Sequence, residues 1–141
     1  MKLNEMEANV VPSLAAPSGN YPHFKRAGDF TYVSGISSRR PDRSFEGASI
    51  DSSGLLTLDI RVQTRAVLRN IETILASAGL RLDDLVQVTC YLVNMSDFPG
   101  YNEAYAEFFS HAGPTRTTVA VHQLPHPHIL IEISGVAFKA T

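Results

Sequence analysis

Two charged residues stand where strands should be apolar, and they are the first places to look for chemistry. Arg116 opens a β-branched stretch, Arg116-Thr117-Thr118-Val119, directly after Gly113-Pro114-Thr115. A guanidinium is always charged and presents a planar fork of donors that matches a carboxylate. By pattern alone Arg116 is either a strand-end arginine reaching to water or a carboxylate clamp. Glu132 lies inside the apolar run Ile129-Leu130-Ile131-Glu132-Ile133. Alternation places it on one face with Leu130 and Ser134, opposite Ile131 and Ile133. A carboxylate in such a run is either paired with a base or desolvated with a raised pKa, and a raised pKa suits general acid–base catalysis near neutral pH. A structural ion pair across an interface is the competing reading.

Other residues carry weaker signals. The segment His122-Gln123-Leu124-Pro125-His126-Pro127-His128 holds three of the five histidines. Its prolines dictate an extended path, no cysteine is near, and the spacing fits no zinc pattern, so no metal is expected and these side chains read as polar loop residues or substrate contacts. Cys90 falls on the apolar side of its strand as an inert core thiol. Ser34-Gly35 interrupts Phe30-Thr31-Tyr32-Val33, marking a bulge or a ligand's close approach to backbone. Arg39 and Arg40 are either solvated loop charges or part of a loop that closes over a second anion. No phosphate loop, dinucleotide glycine pattern, nucleophile elbow or His-Glu-x-x-His occurs in the chain, which removes the common cofactor and nucleophile chemistries.

The elements that must position these residues follow from periodicity. Residues 1–20 read as an extended arm, and 21–141 as a single domain. Residues 23–26 and 30–37 are strands joined by the hairpin signal Ala27-Gly28-Asp29. The polar stretch 37–54 has no stable period and reads as a long loop, a candidate substrate lid. Residues 59–78 form a helix with Val67, Ile71, Ile74, Leu75 and Ala78 on one face, Asp59 at its start and Gly79 at its end. Residues 86–93 alternate as a strand with Val86, Val88, Cys90 and Leu92 on one side. A second helix runs from Ser96-Asp97 to about His111, with Tyr101, Tyr105, Phe108 and Phe109 as its apolar stripe. Residues 116–121 and 129–138 are the last strands. The order β-β-α-β-α-β-β predicts an α+β fold with two helices against one sheet. The last strand is apolar on both faces, so a second copy of the chain is expected to cover the outer one: a homo-oligomer.

Composition bounds the partners. A chain of 141 residues with 44% hydrophobic and 18% charged residues is that of one globular domain. A net charge of −2 gives no field for gripping a phosphate backbone, so nucleic acid is not expected. The first residues lack the apolar core of a signal peptide and no run is long enough for a membrane span. One cysteine excludes an internal disulfide and suits a reducing compartment, so the expected location is cytoplasmic with no membrane partner.

The strongest pieces then fall together. They are Gly19-Asn20-Tyr21, Val33-Ser34-Gly35, the helix holding Asn70, Asn94-Met95-Ser96-Asp97-Phe98, Tyr101-Asn102-Glu103-Ala104-Tyr105 with Phe108-Phe109, Gly113 through Val119, Leu124-Pro125 and Ile131-Glu132-Ile133. Together they resemble the Rid (reactive intermediate deaminase) family over nearly the whole chain after the arm. The resemblance implies a chorismate-mutase-like subunit and a homotrimer with sites in the clefts between subunits. It implies that Arg116 binds a substrate carboxylate, that Glu132 serves the water or the leaving nitrogen, and that Tyr21, Ser34, Gly35 and Thr118 line the cleft. No cofactor is implied. Thr118 stands where many relatives have a cysteine, so a thiol's role does not carry over. The segments Ser37-Ser38-Arg39-Arg40-Pro41-Asp42 and 121–127 are not general features of the family. They resemble a branch that deaminates a six-carbon dicarboxylic enamine, which makes Arg39, Arg40, His122 and His126 the candidates for a second carboxylate site. A general deaminase of 2-aminoacrylate-like imines and a trimeric, non-catalytic binding module are the alternatives.

Overall fold

The computed structural model describes residues 7–140. Six strands form one sheet, and two more form a hairpin apart from it. In chain order the elements are β1 (Ala8–Asn9), β2 (Phe24–Ala27), β3 (Phe30–Ile36), β4 (Ala48–Ile50), β5 (Leu56–Leu58), α1 (Ile60–Ser77), β6 (Leu85–Leu92), α2 (Phe98–Tyr105), β7 (Thr115–Ala120) and β8 (Ile131–Phe138). The sheet order is β1-β2-β3-β8-β6-β7. β6 and β7 run parallel, and α2 supplies the crossover that a parallel pair requires; β8 is antiparallel to both its neighbours.

Helix α1 forms for the reasons its sequence carries. The Asp59 side chain accepts from the N–H groups of Arg61 and Val62, capping donors that have no partner within the helix. Val67, Ile71, Ile74 and Leu75 are completely buried. They meet Val33, Val88, Cys90, Ile131, Ile133 and Ala137 from the sheet and Tyr101 from α2 in one core. Both helices thus cover one face of the sheet. The other face exposes Phe30, Tyr32, Val119 and Phe138, with half of Tyr32 open to solvent. Among the described residues no helix is long and apolar enough to cross a membrane.

Several boundaries differ from the expected ones. Of the expected arm, residues 1–6 lie outside the described residues. Residues 8–9 add an edge strand to β2, and Val11 is buried at 6% exposure. The stretch 37–54 is not featureless: Arg39 bridges Phe45, and β4 pairs with β5. Asp51 makes that hairpin by accepting from the N–H groups of Ser53 and Leu55, and Gly54 supplies the positive φ. Val86 was expected inside with Val88, yet it is exposed. The register of β6 on β8 shifts between Leu85 and Gln87, a bulge that turns Leu85 inward instead. Helix α2 ends at Tyr105 rather than near His111. Its chain tightens into short turns, with Glu107 N–H donating to Ala104 and Phe108 N–H to Tyr105, so Phe108 and Phe109 fold back onto the core instead of extending a stripe.

One buried amide holds the proline-rich turn between β7 and β8. Gln63 on α1 is fully buried; its Nε2 donates to the carbonyl of His128 at 2.8 Å and its Oε1 accepts from Leu130 N–H at 2.9 Å. Replacing it with leucine keeps the volume and strands two backbone groups. Gln63→Leu is expected to cost about 2 kcal/mol, read as a lower melting temperature at fixed protein concentration. An unchanged melt would mean that the turn is held by something else.

Candidate functional site

Arg116 sits on the helix-covered face. It pairs in register with Val88, and Thr118 with Cys90; residues paired across neighbouring strands share a face. The guanidinium lies over the rings of Tyr105 (4.6 Å), Tyr101 (5.0 Å) and Phe98 (5.7 Å). Aromatic faces attract a cation, each contact contributing about 0.5–2 kcal/mol, yet they leave the planar fork of donors open. Among the described residues no carboxylate forms an ion pair with Arg116, whereas Arg61 and Arg65 are paired with Glu103 and Glu107. Around it, the Tyr101 hydroxyl meets Thr118 Oγ1 at 2.6 Å. Burial pushes the Tyr105 hydroxyl up to about 12 and the Cys90 thiol up to about 11, so both are neutral. The arrangement is a cation on an aromatic bed with neutral hydroxyls beside it, and its free donors match the geometry of a carboxylate.

Glu132 occupies the opposite face. It pairs with Tyr91 on β6, while its neighbours Ile131 and Ile133 point into the core. Its carboxylate reaches the bulge that interrupts β3 between Val33 and Ile36. A Cβ at Gly35 would lie 2.7 Å from Glu132 Oε1, so glycine is what makes room for the acid. Burial raises the Glu132 pKa above the ordinary carboxylate value, and the positive charge of Arg39 opposes the rise. Together with Tyr21, Arg39, Asn70 and His126 it lines a cavity of about 380 Å³. That is enough for a small organic acid.

The expected site residues therefore separate into two groups. Tyr21, Gly35, Arg39 and His126 line the Glu132 cavity. Thr118 stands with Arg116 on the other face. Ser34 acts on backbone, its Oγ donating to the Pro22 carbonyl at 2.8 Å. Arg40 is exposed and its Nη1 donates to Ser44 Oγ at 3.3 Å; Arg40 and His122 are not among the cavity-lining residues. His126 and His128 meet edge to face with ring centroids 4.7 Å apart, and among the described residues no group of three His, Cys, Asp or Glu gathers to hold a metal. Three features escaped sequence reasoning. Periodicity reads Tyr101 and Tyr105 as the apolar stripe of α2, whereas in the structure they also seat Arg116. Asn70 steadies the cavity loop by donating from Nδ2 to the Ser37 carbonyl at 3.0 Å. The buried His23 joins the cavity wall, and nothing in the local pattern announces it.

A mixed sheet with one helical layer, carrying a guanidinium on one face and a desolvated acid on the other, defines a small α+β subunit. Comparison places it more closely. The chain belongs to the Endoribonuclease L-PSP family, whose model matches residues 13–139. It is similar to the RutC family protein PH0854 of Pyrococcus horikoshii, 39% identical over 123 residues, which are 87% of this chain and 90% of that one. It is also similar to the 2-iminobutanoate/2-iminopropanoate deaminase of Dermatophagoides farinae, 28% identical over 125 residues, 89% of this chain and 90% of that one. The crystal structure of Escherichia coli TdcF with bound serine superposes with a TM-score of 0.78 at 26% identity, covering 95% of this chain and 99% of that one.

The state of Glu132 is open to a direct check. An acid with a folded pKa above its unfolded one binds its proton more tightly when folded. Its desolvation cost is absent below the unfolded pKa and grows as pH rises through the folded pKa. Glu132→Gln removes that cost, so the variant should melt with wild type at about pH 4 and above it at about pH 8. A gap of equal size at both pH values would show that Glu132 is not desolvated.

Proposed function

We propose that the protein hydrolyses the C–N bond of a small carboxylate-bearing enamine or imine, and that its substrate is 2-aminomuconate. The observation that carries this reading is Glu132, an acid held towards its protonated form in a cavity that also contains a guanidinium. The name of the mite relative, a deaminase of 2-imino acids, supports the reaction class. Arg39 in the cavity supports a second carboxylate on the substrate.

Arg116 fixes the carboxylate next to the amine-bearing carbon. The enamine takes a proton on carbon and becomes the imine, a better electrophile. Water adds to the amine-bearing carbon of the imine, with Glu132 passing the water's proton to nitrogen; the hydroxyl proton of the resulting carbinolamine then also reaches nitrogen, the C–N bond breaks, and ammonia leaves the 2-oxo acid. One water is consumed, and one ammonia and one 2-oxo acid are formed. Positioning and proton transfer are the catalytic contributions required, so the reaction needs no metal or organic cofactor. Arg39, with His126 beside it, holds the far carboxylate.

Because Arg116 and Glu132 lie on opposite faces of one sheet, a site that uses both takes them from two subunits. The exposed apolar residues of the outer face, Phe30, Tyr32 and Phe138, favour a homotrimer that buries them. A deaminase of smaller monocarboxylic imines is the second reading, favoured by the names of the relatives.

Release of ammonia from freshly generated 2-aminomuconate is the deciding assay. Arg116→Ala should lower kcat/KM by about 10–100-fold through loss of a charged contact. Glu132→Gln should lower kcat by about 10²–10⁴-fold, the usual share of a general acid or base. Co-assembling the two inactive variants regenerates an intact site wherever Arg116 and Glu132 meet from different chains. In random trimers that restores about a quarter of wild-type activity. No recovery, in trimers shown to be mixed, would place both residues in one subunit's site and sink the shared-site reading. Arg39→Ala should lower the ratio of kcat/KM for 2-aminomuconate over 2-aminoacrylate by about tenfold or more; an unchanged ratio would favour the monocarboxylic reading.

A further inference from the structure

The N-terminal arm forms one wall of the Glu132 cavity, through Leu14, Ala15, Pro17 and Ser18. Its ladder with β2 ends at Asn9, and beyond Val11 the arm leaves the sheet. Leu14 N–H turns back onto the Val11 carbonyl and its side chain packs on the core; among the described residues three further hydrogen bonds tie 12–18 to residues beyond the arm. His23 Nε2 meets the Ala15 carbonyl at 3.0 Å, Arg39 Nη2 donates to the Ala16 carbonyl at 2.7 Å, and Ser18 Oγ meets the Tyr21 hydroxyl at 3.2 Å. The last joins two exposed side chains only three residues apart, so the first two hold the arm over the cavity.

The chemistry of those two ties is fully determined. A backbone N–H can only donate, and Val11 N–H points at His23 Nδ1 at 2.8 Å, so Nδ1 is unprotonated. A carbonyl can only accept, so the Nε2 facing Ala15 carries the hydrogen. His23 is therefore a neutral imidazole with both nitrogens committed, buried at 4% exposure. It has no proton or lone pair left for a substrate. Arg39 differs. One of its five donors is spent on Ala16, and among the described residues it pairs with no carboxylate, so its remaining donors are available to an anion in the cavity.

We propose that His23 is a positioning residue for substrate selection: by clamping Val11 and Ala15 it sets the Ala16 carbonyl, which in turn aims the Arg39 guanidinium at the far carboxylate of a dicarboxylic substrate. This rests on Arg39 as the second anchor. The imidazole acts through the arm and touches neither the reacting carbon nor the near carboxylate on Arg116. Its effect is thus on recognition of the longer, doubly charged substrate. Besides His23 itself, the charged and titratable groups facing the same cavity are Tyr21, Arg39, His126 and Glu132; Tyr21 meets Ser18 at the far end of the arm, and Arg39 bonds Ala16, the neighbour of the Ala15 that His23 holds.

The test compares His23→Leu, which loses both hydrogen bonds, with His23→Gln, whose amide offers one acceptor and one donor. Leucine should raise KM for 2-aminomuconate and cut its kcat/KM, relative to that for 2-aminoacrylate, by about tenfold. Glutamine should restore most of the ratio. Hydrogen exchange at the Val11 amide should quicken in the leucine variant and slow again with glutamine, which a general loss of stability would not produce. Equal losses on both substrates, or no rescue by glutamine, would overturn the proposal. If Arg39→Ala lowers the ratio and His23→Leu does not, the latch fails alone; if neither lowers it, the dicarboxylate reading fails with it. Should His23→Leu not assemble, the unaltered protein decides. Muconate, a dicarboxylate without the amine, should slow exchange at Val11 more than a monocarboxylate such as crotonate at equal occupancy, and equal slowing would overturn the coupling.

Discussion

The period of two along a central strand is the constraint from which the rest follows. β8 lies between β3 and β6, hydrogen-bonded on both edges, so its register cannot slip without turning Ile131, Ile133 and Ala137 out of the core. With those residues inward, Glu132, Ser134 and Val136 must face the other way. The same logic, carried across β6 to β7 by the pairing of Val88 with Arg116, sends the guanidinium to the helix side. An acid and a cation that look like partners in the sequence are held apart by the backbone that makes the sheet. A single copy of the sheet therefore presents the two on opposite sides.

The second theme is which charges the fold satisfies. On the surface between the helices Arg61 and Arg65 reach Glu103 and Glu107, the sort of pairing that contributes little but costs nothing. Arg116 and Arg39 are treated differently. One is laid on three aromatic rings and the other on a single backbone carbonyl, so each is positioned without being neutralised. Glu132 is partly withdrawn from water and, among the described residues, forms no ion pair. Such groups lower stability in the empty protein, and Arg39 and Glu132 stand together in one cavity, which marks it as a candidate site.

The cavity is assembled from pieces far apart in the chain, and buried polar side chains do the assembling. Gln63 on α1 holds the turn that carries His126; Asn70 on the same helix holds the loop that carries Arg39; His23 holds the arm. Each satisfies backbone groups that no strand ladder reaches, as buried peptide groups require. Gln63 and His23 are committed at both polar ends and so have one orientation, while Asn70 is held through its Nδ2.

Much of this was legible locally. A charged residue inside Ile-Leu-Ile-Glu-Ile, an arginine at the head of a β-branched strand, the Asp59 cap, the α1 stripe and the Ser34-Gly35 bulge all depend on near neighbours, and periodicity reports near neighbours. The resemblance carried the pairing of Arg116 with Glu132 as functional residues. What the local pattern could not supply was anything that depends on long-range register. Arg39 and Arg40 are adjacent and chemically identical, and only the bridge to Phe45 turns the first into the cavity. His23 has an unremarkable sequence context, because its partners are the backbone of Val11 and Ala15 after the arm has folded back. The hairpin of β4 and β5 rests on a turn whose strands are only three residues each, too short to show alternation. The sequence determined which residues are chemically out of place. The tertiary structure decided which of them meet, because side-chain direction is set by pairing across strands that lie far apart in the chain.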